Sequence, residues 1–285
     1  MTDEMTSTIE RADAGSRTGP PALTLRGVAK TFGHGSEAVT ALRGIDLHVE
    51  PGEFVCLLGA SGCGKSTLLN LVAGLDEPTA GDVTLGTARP SFMFQEAALL
   101  PWLTARRNVE LPLQLAGLGR RERRQRADEL LSLVRLKDQG DKRPHELSGG
   151  MRQRVSLARA LAATTAGESN RTIGGGFARR RSSGQDWEAE NRPGMLLMDE
   201  PFAALDAITR DVLQGELLRV WEATGTTILF VTHDVREAIR LAERVVLLSS
   251  RPGTVVREWR VGDGPIALHD EITGRLRQVI TSHAA

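Results

Sequence analysis

The chain has 285 residues, of which 36 are basic and 36 acidic, so its formal net charge is zero and it has no global pull toward nucleic acid or anionic lipid. No apolar run approaches the ~20 residues of a membrane span, and the polar N-terminal stretch has no signal-peptide core. The two cysteines, Cys56 and Cys63, make no disulfide framework, which points to a reducing, intracellular setting.

Residues 1–21 are polar and rich in Thr, Gly and Pro, and they read as a disordered tail. Short strands are predicted at Leu23–Leu25 and over Val39–Val49, where Ile45, Leu47 and Val49 alternate with other residues. Phe32, between them, suits a core position, and beside a nucleotide it would suit stacking on adenine. Phe54–Leu58 is a continuous apolar run, as expected of a buried parallel strand. It leads into GASGCGKST, Gly59–Thr67, after which Leu68, Leu69, Leu71 and Val72 share a helical face running to Gly74. Strand, glycine-rich loop and helix are the setting that the pattern G-x-x-x-x-G-K-[ST] requires. Gly59, Gly62 and Gly64, interleaved with Ala60, Ser61 and Cys63, let backbone N–H groups curl around phosphate oxygens, and the helix N-terminus adds positive potential. Lys65 would reach the β- and γ-phosphates, Ser66 would hold Mg²⁺, and Thr67 closes the pattern. The chain is therefore read as binding a nucleoside triphosphate.

Gly81–Leu85 and Ser91–Phe94 are strand-like, the second ending at Gln95, an amide delivered either to a site or to water. Leu99–Leu103, LLPWL, is unusually apolar for a stretch broken by proline, and reads as a core-packing loop or an exposed apolar patch. Residues 105–162 are expected to be helical, with Arg120, Arg121, Arg123, Arg124 and Arg126 on a solvated face interleaved by Glu122, Asp128 and Glu129. Leu147–Met151 opens a helix for which Ser148 is a natural N-cap. Two glycines in its first turn cost about 1 kcal/mol each, which makes sense if a ligand must approach the backbone. Ser148, Gly149 and Gly150 thus form a second candidate anion site. Met195–Met198 is a buried strand ending in Asp199 and Glu200, the first suited to ordering Mg²⁺ and the second to polarising an attacking water. Thr227–Val231 ends at His233, a residue type that is often structural but would face the same crevice if the strands share a sheet. Strands Arg244–Leu248 and Thr254–Val261 follow, then a short helix with Ile272, Leu276, Val279 and Ile280 on one face.

With these motifs in this order, the sequence closely resembles the ATP-binding subunit of an ABC transporter over almost all of Leu23–Arg260. Gly59–Thr67 matches Walker A, Met195–Asp199 Walker B, Glu200 the catalytic glutamate and Leu147–Met151 the family signature. Gln95 matches the Q-loop glutamine, which the resemblance places among the catalytic and metal-binding residues. Ala204-Leu205-Asp206 looks like the D-loop, His233 like the switch histidine, and Phe32 like the adenine-stacking aromatic. The implied fold is α/β: a P-loop NTPase core spanning 22–262, with a small antiparallel β subdomain and an inserted helical subdomain at about 96–162. Residues 263–285 would be a C-terminal helical extension. The implied cofactors are ATP and Mg²⁺. The implied assembly is a homodimer in which Ser148, Gly149, Gly150 and Asp206 of one copy meet the ATP held by the other. The implied partners are a membrane permease and, indirectly, a periplasmic or lipid-anchored solute-binding protein, at the cytoplasmic face of the membrane and without nucleic acid.

Leu99–Trp102, Met151 and Leu248–Gly253 further resemble the nitrate, sulfonate and taurine importers, whose solutes are small anions. An ABC ATPase acting on ribosomes or DNA is the alternative from another class, but the paired P-loops or long coiled coils of those proteins do not occur here. An exporter ATPase is the alternative within transport. Three features depart from the family pattern: Met151 stands where glutamine is commoner, the short Val83–Phe92 segment predicts a trimmed β-hairpin, and residues 164–193 form an unusual insertion. That insertion has few large apolar residues to offset the ordering of about thirty positions, and reads as a mobile surface loop. Its Arg179-Arg180-Arg181 run alternatively suits phospholipid headgroups or nucleic acid.

Overall fold

The computed structural model describes residues 20–33, 35–87, 90–169, 194–203, 205–262 and 265–284. The expected N-terminal tail, apart from Pro20 and Pro21, lies outside the described residues, as do Ala204 and residues 170–193 of the expected insertion.

A six-stranded sheet runs in the order β5 (Ser91–Met93), β6 (Met195–Asp199), β7 (Thr227–Thr232), β3 (Phe54–Leu58), β8 (Arg244–Leu248) and β9 (Val255–Arg260). All neighbours pair in parallel except β9, which runs antiparallel to β8. A parallel strand is stable only with both faces covered, and all five residues of the central β3 are buried. Because successive side chains point to opposite faces, Phe54, Cys56 and Leu58 join one hydrophobic cluster while Val55 and Leu57 join another. Each large side chain buried this way contributes about 1.5–3 kcal/mol.

The Val55 face is covered by α1 (Lys65–Val72) and by a three-stranded antiparallel sheet in the order β2 (Val39–Val49), β1 (Leu23–Phe32), β4 (Ala80–Leu85). β1 outruns the expected Leu23–Leu25 because it is hydrogen-bonded on both sides. The Phe54 face carries the helices α2 (Ala105–Leu115), α3 (Arg120–Leu133), α4 (Gly149–Ser169), α5 (Ala207–Thr224), α6 (Val235–Leu241) and α7 (Pro265–Ala284). Trp221 of α5 packs edge-on against Phe54 with ring centroids 5.6 Å apart, and its indole N–H donates to the Gly52 carbonyl at 3.0 Å.

Several expected limits are corrected. Residues 105–162 are not one helical run. The chain leaves α3 through Arg135 at φ +59° and approaches α4 through Pro144, and neither fits a helix interior. In the other direction, α4 continues past Ala162 to Ser169, so the expected insertion begins inside a helix. The C-terminal extension is a 20-residue helix rather than a short one, with Ile272 buried and Ile280 exposed. α1 ends as anticipated near Gly74: Leu75 N–H bonds the Asn70 carbonyl (2.9 Å) and Gly74 N–H the Leu71 carbonyl (3.1 Å), a Schellman pair.

Candidate nucleotide-binding site

β3, β5, β6 and β7 end on the same edge of the parallel sheet, the edge where open α/β sheets bind ligands. There β3 runs into Gly59–Gly64, with Gly64 at φ +102° capping α1. A Cβ on Gly64 would lie 2.7 Å from Leu42 Cδ2, so only glycine fits both the dihedral and the space. Lys65 is 5% exposed and arches back over the loop, its Nζ donating to the Gly59 and Ala60 carbonyls at 2.8 and 2.9 Å. Cys63 is buried beneath the loop in the β3 cluster, and burial pushes its thiol above the ordinary range. It can therefore offer a ligand only its backbone. Both cysteines are free, in keeping with the absence of a disulfide framework.

A cleft of about 380 Å³ lies over this loop. Ser61, Gly62, Gly64, Lys65, Ser66 and Thr67 line it together with Phe32, Gln95, Asp199 and Glu200. Phe32 is 45% exposed there, which removes the core reading and leaves its ring available to a base. Ser66 hydrogen-bonds the Asp199 carboxylate. Burial dominates that acid and pushes it above the usual carboxylate range, Glu200 adds to the rise, and Ser66 and Lys65 pull it down. A half-buried acid raised by desolvation, bonded to a hydroxyl beside a phosphate-type loop, is a hard-oxygen set that fits Mg²⁺. Glu200 takes φ +43°, sparsely populated by non-glycine residues, after its N–H has bonded the Val231 carbonyl at 3.1 Å. Its Oε2 lies 3.2 Å from Nδ1 of His233, which follows β7.

The structure thus gathers Phe32, the P-loop, Gln95, Asp199, Glu200 and His233 around one crevice. It does not bring Ser148, Gly149, Gly150 or Asp206 into the lining of that cleft. Ser148 caps α4, its Oγ accepting from Met151 N–H at 3.3 Å. Asp206 caps α5, accepting from Thr209 N–H at 2.9 Å, and its hydrogen bonds to Thr209 hold its carboxyl below the usual range. The two caps are neighbours, since a Cβ on Gly150 would lie 2.8 Å from Thr209 Cγ2.

The family profile described as ABC transporter matches residues 42–166. The nitrate import ATP-binding protein of Synechocystis is 43% identical over 231 residues, covering 79% of this chain and 76% of that protein. The taurine import ATP-binding protein of Mesorhizobium japonicum is 45% identical over 230 residues, covering 78% of each. The chain belongs to the ABC transporter ATP-binding proteins. Among solved structures, the dimeric ABC transporter cassette MJ0796 is 34% identical with a TM-score of 0.68, covering 85% of this chain and all of that one. Its post-hydrolysis dimer bound to ADP and phosphate gives 0.66 at 33% identity. The P-loop ABC fold and an ATP-hydrolysing role are therefore established for this chain.

In this ABC ATPase, residues that sequence reasoning missed hold the site in place. Gln153 of α4, 6% exposed, donates through Nε2 to the Gln95 carbonyl at 2.9 Å and the Pro201 carbonyl at 2.6 Å, tying the signature helix to loops on both sides of the cleft. Two turns on, Arg159 donates to the Ala98 and Ala97 carbonyls at 2.8 and 3.1 Å. Buried Asn108 accepts from Leu100 N–H at 2.8 Å and donates to the carbonyls of Leu100, Leu103 and Thr104, stapling the LLPWL loop to α2. Val39, Ala41 and Arg251 also line the cleft. Gln153 and Arg159 carried no local mark because their partners lie 48 to 62 positions away in the chain, whereas Val39 and Ala41 fall in the expected strand Val39–Val49 and Arg251 in Leu248–Gly253.

Proposed function

We propose that this chain is the ATP-hydrolysing subunit of an importer for a small anion of the nitrate, sulfonate or taurine class. The observation that carries the chemical part is the convergence of Lys65, the Ser66–Asp199 pair and the Glu200–His233 pair on one cleft over the P-loop. The solute class rests on the printed functions of the relatives.

Gly59, Ala60, Ser61, Gly62, Cys63 and Gly64 would offer backbone N–H groups to the phosphates, with Lys65 and Thr67 beside them and the Phe32 ring on the base. Ser66, Asp199 and Gln95 would hold Mg²⁺, which when bound neutralises charge on the phosphate oxygens. Glu200 accepts the proton of the attacking water, and His233, 3.2 Å away, holds that carboxylate in place. Ser148, Gly149, Gly150 and Asp206 stand outside their own chain's cleft, which fits the reading that they complete the site of a second copy across a twofold axis. The relative MJ0796 is dimeric. The LLPWL loop begins four residues after Gln95 and leaves Trp102 68% exposed, a surface suited to a permease helix at the cytoplasmic face of the membrane. A periplasmic or lipid-anchored binding protein would deliver the solute to that permease. None of the described helices is long and apolar enough to cross a membrane. The domain limits follow: an ATPase domain at 22–262, and 263–285 as an appended helix.

Glu200→Gln tests the reading. It keeps the shape of the side chain and removes the base, so ATP binding persists, hydrolysis nearly stops, and an ATP-bound dimer accumulates on size-exclusion chromatography. Single-turnover hydrolysis close to wild type would remove Glu200 from the role of base.

A further inference from the structure

Between β8 and β9 the chain makes a turn, Ser249–Thr254, that carries Arg251 into the wall of the nucleotide cleft. The turn is anchored on three sides. Internally, Ser249 Oγ donates to the Pro252 carbonyl at 2.8 Å, accepts from Thr254 N–H at 2.8 Å, and lies 2.9 Å from Thr254 Oγ1. Toward the P-loop, Gly253 N–H donates to the Ala41 carbonyl at 2.8 Å and its own carbonyl accepts from Arg43 N–H at 2.9 Å. Gly253 sits so close to the phosphate loop that a Cβ there would come within 2.3 Å of the Cys63 carbonyl. Behind the turn, Ser250 Oγ donates to the Val279 carbonyl of α7 at 3.1 Å. A surface loop joining two antiparallel strands needs none of these bonds, since far shorter turns close a hairpin. Together they fix the backbone on which Arg251 stands.

The charges of the cleft specify what that guanidinium would meet. Its ionisable lining residues are two acids, Asp199 and Glu200, and two bases, Lys65 and Arg251. Three of them are engaged: Lys65 with two carbonyls, Asp199 with Ser66, Glu200 with His233. Arg251 is exposed and has no hydrogen-bond or ion-pair partner among the described residues. A rigidly based, unengaged guanidinium in the wall of an anion site has the fork of donors that matches phosphate oxygens. We propose that Arg251 is a nucleotide-binding residue of this ATPase, donating to a phosphate oxygen of bound ATP. The assignment rests on ATP occupying the P-loop cleft.

Binding of ATP and of adenosine to the purified full-length protein, measured by isothermal titration, tests it, with steady-state ATPase alongside. Arg251→Ala is expected to weaken ATP binding about tenfold, the scale of one hydrogen bond to a charged group. Adenosine binding should be unchanged, Arg251→Lys should recover only part of the loss because it keeps the charge without the fork, and added salt should shrink it. KM should rise while kcat stays within about twofold, the mark of an interaction made equally in ground and transition states. Because the side chain is exposed, the unfolding temperature without nucleotide should not move. Equal losses for ATP and adenosine would overturn the phosphate assignment. ATP affinity kept in Arg251→Ala but lost in Lys65→Ala would overturn the role of Arg251 while leaving the nucleotide site standing. A wild-type protein that binds no ATP would overturn both.

Discussion

Gln153→Met separates the positioning network from the chemistry it supports. Methionine has a similar reach and good helix propensity, so the exchange deletes two hydrogen bonds with little change in packing. The bond to the Pro201 carbonyl, at 2.6 Å, is buried. That oxygen loses its partner without gaining water, at a cost of about 1–3 kcal/mol. The bond to the Gln95 carbonyl, at 2.9 Å, is only part-buried, and that oxygen can rehydrate, so its loss costs about 0.5–1.5 kcal/mol. Together the nucleotide-free protein should lose about 1.5–4.5 kcal/mol, read as a shift in the urea midpoint at constant slope and as a melting temperature lowered by roughly 3–18 °C. Pro201 follows Glu200, and Gln95 lines the cleft, so kcat should fall by more than KM changes. A stability loss under about 0.5 kcal/mol with kcat unchanged would refute the reasoning, since the amide would then hold neither loop.

Two further outcomes follow from other parts of the fold. The Glu237 carboxylate accepts from Gln214 Nε2 at 2.8 Å and from the Thr232 hydroxyl; burial dominates and pushes it above the usual range, with both hydrogen bonds pulling it back. Its folded pKa thus exceeds its unfolded one, so the stability it contributes is full below the unfolded value and is lost as pH rises through the folded value. Glu237→Gln should therefore be more stable than wild type at about pH 8, by a margin that shrinks toward about pH 5; a margin independent of pH in urea titrations would contradict this. Trp102→Ala and Leu103→Ser should leave the ATPase of the isolated subunit within about twofold while lowering co-purification with the permease, because Trp102 is 68% exposed and the loop is held by Asn108 rather than by these side chains. Unchanged complex formation and transport in both would mean that the loop does not grip the permease.

Features that depend on neighbours along the chain can be read from residue order alone. The P-loop was legible because a buried strand, three glycines and a helix start are consecutive, and Gly64 at φ +102° meets its dihedral demand locally. The Ser148 cap, the burial of β3 and the glycine end of α1 were legible for the same reason. Helix limits between Leu115 and Gly149 were not, since apolar spacing persists through turns that Arg135 and Pro144 interrupt. Where one side chain suits two surroundings equally, packing between distant segments selects one of them. Phe32 and Trp102 are aromatic whether buried or exposed, and nothing beside them in the sequence says which surface packs against them. Gln153, whose partners lie 58 and 48 positions away, and Arg251, brought beside the P-loop by the sheet order β3-β8-β9, acquire their surroundings through strand pairing. Sequence period reports which face of an element is apolar; the order in which the strands pair decides what that face, and the loops at its end, will meet.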